Sequence, residues 1–245
     1  MKSNTELKNT ALAALKGNWA QAVGAYVLFA LIIIFASSYS VYTSVAMQSE
    51  LQTRLAGASG DFFQTLAIMQ DPAIQALQRQ SNAGSALSFL VSIFLLYPIG
   101  VGFANACKML LGGNPDVIHN TFSITFEKYL HKVWTMFLMG LFIVLWSLML
   151  IIPGIIKSFS YAMVPFIVED NPELSADEAI DRSRAMMRGH KFDLFWLYLS
   201  FLGWAILAVI PAGLGFIWLV PYMETTTAAF YQEVKADYEL NGGLI

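Results

Sequence analysis

Long apolar runs alternate along the chain with short polar stretches, and the two kinds of segment follow each other in a repeated order. Val133 to Ile152 holds about 20 residues without a formal charge, which at 1.5 Å per residue matches the hydrocarbon core of a bilayer. Similar runs occupy 19–46, 86–111, 155–168, 192–210 and 214–231, so the pattern predicts an all-α polytopic membrane protein with six transmembrane helices in one integral membrane domain. Pro and Gly punctuate the runs: Pro98 and Gly100 fall inside the second, Pro153-Gly154 separates the third from the fourth, and Pro211 to Gly213 separates the fifth from the sixth. Proline lacks a backbone donor and crowds the preceding turn, so a kink is expected at Pro98 and reversals at the other two.

The polar stretches have a helical period of their own. Ser175-Ala176-Asp177-Glu178 fits a capping box, after which Ala176, Ala179, Ile180, Ser183 and Met187 share one face, and Gly189 closes the helix. Leu7, Ala11, Ala14 and Leu15 make a comparable face near the N-terminus. Ile118, Phe122, Phe126, Tyr129 and Leu130 make a third before the run at Val133. Three amphipathic helices on the cytoplasmic face are therefore expected. Trp134 and Pro153, and likewise Phe192 and Pro211, stand 19 residues apart, which predicts a threefold repeat of surface helix, span, break and span. The first unit carries an insertion of about 60 residues, and its polar stretch 47–85 is expected outside the cytoplasm, with a short amphipathic helix around Phe62, Phe63, Leu66 and Met69.

Composition agrees with the pattern. With 57% apolar and 13% charged residues and a mean hydropathy of +0.58, the chain is too apolar for an ordinary soluble domain. A net charge of −3 gives no footprint for nucleic acid. The run after Trp19 is too long for a secretory signal and reads as a retained span. Eleven Lys and Arg flank the ends on the side of the N-terminus against three, Arg54, Arg79 and Lys157, on the other. That asymmetry puts both termini in the cytoplasm.

Charges inside spans are costly and mark the places to look for function. Lys157 lies one turn past Pro153, where its ammonium can snorkel to the outer interface. Glu224 lies deeper. Its depth differs from that of Lys108 by about 4 to 5 Å if both segments are helical, so a Glu224 to Lys108 ion pair is geometrically open, as are pairings with a cytoplasmic arginine or with Tyr161. Either structural pairing or a substrate or proton site would account for such a glutamate. Arg182, Arg184, Arg188 and Lys191 form an interfacial basic cluster that sets topology and could also attract anionic lipid headgroups. Cys107 reads as a buried thiol. His119, His131 and His190 lack metal-site spacing beyond the Glu127/His131 pair, and no nucleophile elbow, phosphate loop or dinucleotide motif is present. No enzyme activity, metal or cofactor is expected.

The run from Ile151 to Trp204, continued by FIWLVPYMETTTAAFY, resembles the bacterial integral membrane family catalogued as domain of unknown function 975. The resemblance is strongest over Leu150 to Tyr231 and extends to the N-terminal KGNW. It implies a multi-span helical membrane protein and carries no catalytic residues. More weakly, the plan is similar to the membrane domain of some glycerophosphodiester phosphodiesterases, which leans towards lipid. The chain therefore reads first as a protein that handles or senses a lipid or other amphiphile, with spans four and six lining any cavity. A small-molecule permease and a scaffold subunit of a membrane complex are the alternatives.

Overall fold

The computed structural model describes residues 2–58, 61–123 and 129–240, which are all helix, turn or irregular segment without a strand. Five helical segments among them are long and apolar enough to cross a membrane: Trp19–Gly57, Pro72–Leu111, Tyr129–Met149, Ile151–Asp170 and Lys191–Val209. The chain divides into two compact units. One comprises the residues up to Phe29 together with those from Tyr97 on, and the other is Ala30–Leu96.

The first unit opens with α1 (Asn4–Leu15), started by a Ser3/Glu6 capping box, and continues into the first turns of α2 (Trp19–Gly57). After the second unit come α5 (Tyr97–Leu111), α6 (Val117–Phe122), α7 (Tyr129–Met149), α8 (Ile151–Tyr161), α9 (Val164–Asp170), α10 (Ala176–Met186), α11 (Lys191–Leu199), α12 (Leu202–Val209) and α13 (Phe216–Leu240). The core is built on α13, whose residues Thr225 to Tyr231 are buried without interruption against α1, α5, α10 and α12. This segment, expected as span six, is not among the five, because Glu224, the three threonines at 225–227 and the charged residues from Glu233 on lower its mean hydropathy.

Several breaks differ from the sequence expectation. The reversal between α7 and α8 is at Leu150, which is extended, and Pro153 sits in the first turn of α8 where its missing donor costs nothing. Gly154 is helical; it is glycine because an added Cβ would lie 2.8 Å from Ser147 Cα on α7. Pro211-Ala212-Gly213 does turn the chain, with Ala212 and Gly213 at φ 53° and 83°. Pro98 is accommodated by a π-helical turn at Ser92–Leu96 just before it, and Gly100 stays helical. Two further breaks were not expected. α8 ends at Tyr161, four residues before Pro165, the position whose carbonyl the proline ring would crowd. Between α11 and α12, the Ser200 carbonyl accepts from Lys8 Nζ at 2.9 Å, and that ammonium lies 4.0 Å from the Phe201 ring centroid.

The expected apolar faces of α1 and α10 are buried within the protein: Leu7, Ala11 and Leu15 in one, Ala179, Ile180 and Ser183 in the other. The Ser183 hydroxyl donates to the Ser160 carbonyl at 2.9 Å and accepts from the Met163 amide at 3.3 Å, tying α10 to the α8/α9 junction. The middle amphipathic helix is shorter than expected. α6 stops at Phe122 and buries Val117 and Thr121, while Tyr129 and Leu130 belong to α7 and Phe126 lies outside the described residues. The Ser175 hydroxyl, and then its amide, hold the Glu178 carboxyl below the ordinary glutamate range. That contribution is present above the ordinary value of 4.5 and is lost as pH falls through the lowered one. Ser175→Ala is expected to lower stability by about 1 kcal/mol, read by thermal denaturation of the solubilised protein at neutral pH.

At the α7/α8 turn the five consecutive residues Leu148, Met149, Leu150, Ile151 and Ile152 are each 66% to 77% exposed. An exposed apolar patch of this kind marks a membrane or protein contact.

The second unit is a helical hairpin of the distal part of α2 with α4 (Pro72–Val91), joined through α3 (Phe62–Gln70). Asp61 and Asp71 cap α3 and α4, and Arg54 bonds to Glu50 at 2.7 Å and Asp71 at 2.5 Å. Its seam is made of small residues: Ser44 and Ser81 hydroxyls meet at 3.3 Å, and a Cβ on Gly84 would lie 2.7 Å from Thr43 Oγ1. The stretch 47–85 is thus mostly extensions of two long helices, of 39 residues for α2 and 40 for Pro72–Leu111, with the expected short helix at Phe62 between them.

Candidate functional site

The charged side chains of the first unit gather in three places. The most enclosed is at the end of α9. Asp170 pairs with Lys108 of α5 and with Lys235 of α13 at 2.6 Å, and it accepts from the Tyr231 hydroxyl at 2.8 Å. Tyr231 is fixed by stacking on Phe166, ring centroids 4.9 Å apart. Beside it Glu169 pairs with Lys132 of α7 at 2.6 Å. An acid at a helix C-terminus opposes the helix dipole, and the two lysines on Asp170 offset that. The cluster ties α5, α7, α9 and α13 together. It also corrects the expected Glu224 to Lys108 pair: Lys108 reaches Asp170 instead.

Glu224 forms no hydrogen bond or ion pair among the described residues. It is half-buried on α13, within electrostatic reach of the Cys107 thiol and the Tyr198 hydroxyl. Neither Tyr161 nor an arginine meets it. Lys157 Nζ lies 4.5 Å from the Trp146 ring centroid and faces a cavity of about 320 Å³ that it shares with Tyr161 and with Asp177, Asp181 and Arg184 of α10. It therefore points towards α10, where an extension to the outer interface was expected. Asp170 and Tyr231 escaped the sequence reading; the available signal was the Glu169-Asp170 pair closing an apolar run.

The basic cluster separates into two pairs. Arg182 donates to Asn171 Oδ1 at 3.1 Å and lies 5.9 Å from the Tyr238 ring centroid, while Arg184 pairs with Asp181 at 2.5 Å. Arg188 and Lys191 have no ion-pair partner among the described residues. They flank Gly189, whose φ is 90°, beside a groove of about 370 Å³ whose lining is almost wholly apolar, so it is their carbon stems that meet it. Its walls are Ile155, Ile156 and Phe159 from α8 and Phe192 and Phe195 from α11. His190, between the two cations, bonds to Asp237 at 3.1 Å and Asp193 at 3.3 Å. Glu127, the partner expected for His131, lies outside the described residues.

An apolar trough lined by the stems of two cations that have no ion-pair partner among the described residues can take an apolar tail and leave an anionic head within reach of their charged ends. Residues 1–238 match the family described as Protein of unknown function (DUF975). The chain belongs to that family. No curated protein and no solved structure matches this DUF975 protein. The five membrane-length helices make it a multi-pass membrane protein.

Proposed function

We propose that this DUF975 protein is a six-span protein of the bacterial cytoplasmic membrane, with both termini in the cytoplasm, that binds an anionic lipid or similar amphiphile without transforming it. The groove between α8 and α11 carries this reading. Its walls suit an acyl chain, and Arg188 and Lys191 suit a phosphate or carboxylate head drawn from the inner leaflet. The sixth span is α13, whose 25 residues reach about 38 Å. It is paired with α12 at a close crossing where a Cβ on Gly215 would lie 2.5 Å from Ala208 Cα.

The repeat supports the same threading for two of its three units. α1 and α10 both begin at a Ser/Glu capping box and end before a glycine of positive φ, Gly17 at 86° and Gly189 at 90°, with an apolar helix following. α6 is the degenerate copy. The charge asymmetry then sets α1, α6 and α10 on the inner side.

Two well-placed cations at about 1 kcal/mol each correspond to roughly 30-fold in affinity. Purified protein in nanodiscs containing phosphatidylglycerol is expected to retain that lipid in native mass spectrometry, and Arg188→Ala with Lys191→Ala to weaken retention by about that factor. Arg182→Ala, whose guanidinium is engaged by Asn171, should leave retention unchanged. Equal retention by the double variant and the parent would refute the groove as the lipid site.

A further inference from the structure

A third cavity, of about 150 Å³, lies between α5, α6, α7 and α9, largely enclosed and with mostly polar walls. α5 lines it with a single stripe, Gly102, Asn105 and Met109, at helical three- and four-residue spacing. Asn120 and Ser123 come from the end of α6, and the Lys132–Glu169 ion pair, 2.6 Å long, closes the remaining wall. Gly102 lets α6 approach: a Cβ there would overlap the Thr121 carbonyl oxygen.

Two features distinguish this chamber from ordinary packing. Among the described residues the Asn120 amide nitrogen, shut off from solvent, donates to nothing, and the Asn105 amide has only the Met109 thioether, at 3.8 Å. A buried donor without a partner costs about 1–3 kcal/mol, so the arrangement is incomplete as it stands. The charged groups in the wall neutralise each other, which leaves no counter-charge for an entering ion. The unmatched capacity is that of carboxamides, a hydroxyl and the outer edges of the ion pair, donors and acceptors interleaved.

We propose that this chamber binds a small uncharged polyhydroxyl group of about the size of glycerol. Its volume corresponds to about five waters at roughly 30 Å³ each, which one such group replaces. Hydroxyls accept from the Asn105 amide and, once the Asn120 side chain turns to bring its enclosed amide to the chamber, from Asn120 as well, and they donate to the Asn105 carbonyl oxygen or Glu169. The group is either a free polyol or the terminal glycerol of a lipid headgroup. The site is separate from the α8/α11 groove and does not depend on it.

The test uses full-length protein carrying Ser123→Cys in phosphatidylcholine vesicles, with iodoacetamide as the thiol reagent. The parent, whose Cys107 is fully buried, serves as the unreactive control. Glycerol is expected to slow alkylation at least fivefold where sucrose of equal viscosity does not, and Asn120→Leu in the same background should abolish the protection. Asn120→Asp, which keeps the shape and adds a charge, should weaken it too and covers the case in which the leucine variant misfolds. Protection by glycerol in phosphatidylcholine assigns a free polyol; protection only when phosphatidylglycerol is added assigns the headgroup, and both uphold the chemistry. Equal protection by sucrose, stronger protection by choline or phosphate, protection that survives both Asn120 variants, or no protection from either source overturns it.

Discussion

Asp170→Ala is expected to lower the stability of the solubilised protein by about 3–5 kcal/mol, the range for removing one partner of a buried ion pair. The aspartate side chain is only 16% exposed and holds Lys108, Lys235 and the Tyr231 hydroxyl at once. Removing it leaves two ammonium groups facing each other at the junction of α5, α9 and α13, where Lys108 is also 16% exposed. Asp170→Asn should recover little, because an amide keeps the shape and one acceptor but not the charge. The contrast within the pair is informative. Lys108→Met removes one of two cations and leaves Lys235 on the carboxylate, so it should cost clearly less than the aspartate change. Thermal denaturation followed by size-exclusion retention reads both, and equal losses would show that Asp170 is not the hub.

Gly102→Ala should be the most damaging of the glycine substitutions. The added methyl would overlap the Thr121 carbonyl oxygen and lie 3.2 Å from its carbon, and backbone cannot step aside as a side-chain end can. Overpacking of this kind costs about 1–3 kcal/mol, occasionally more. Gly154→Ala and Gly215→Ala meet the Cα atoms of Ser147 and Ala208 in the same way and should fall in the same range. Gly203, in α12, has nothing within 4 Å of the added carbon, and Gly203→Ala should be neutral or stabilising by up to about 1 kcal/mol through helix propensity. A flat response across the four positions would mean that these close helix contacts do not exist.

What the chain's pattern disclosed was the local part of the structure. The Ser175/Glu178 capping box is legible because both partners lie within one turn, and the apolar runs are legible because length and composition alone set them. Pro153 misled for a physical reason: proline is tolerated in the first turn of a helix, so it marks where α8 begins while the reversal is three residues earlier at Leu150. The Lys108 to Asp170 pair joins positions 62 apart in sequence. Depth arithmetic along helices gives height but not rotation about the axis, and rotation decided between Asp170 and Glu224. The buried face of α6 is wider than expected: Gly102 admits the Thr121 backbone and Val117 and Thr121 are buried, while the expected Ile118 is half-buried against the core beside them. The unmatched Asn120 amide had no sequence signature at all.

The proposed threading is tested most directly by thiol accessibility in intact cells, using Gln52→Cys near the end of α2 and Asp116→Cys in the turn before α6. A membrane-impermeant maleimide should label the first from outside and the second only after permeabilisation, with the buried Cys107 silent in both. Labelling of Asp116→Cys in intact cells to the same extent as Gln52→Cys would contradict the threading and, with it, the placing of the basic groove against the inner leaflet.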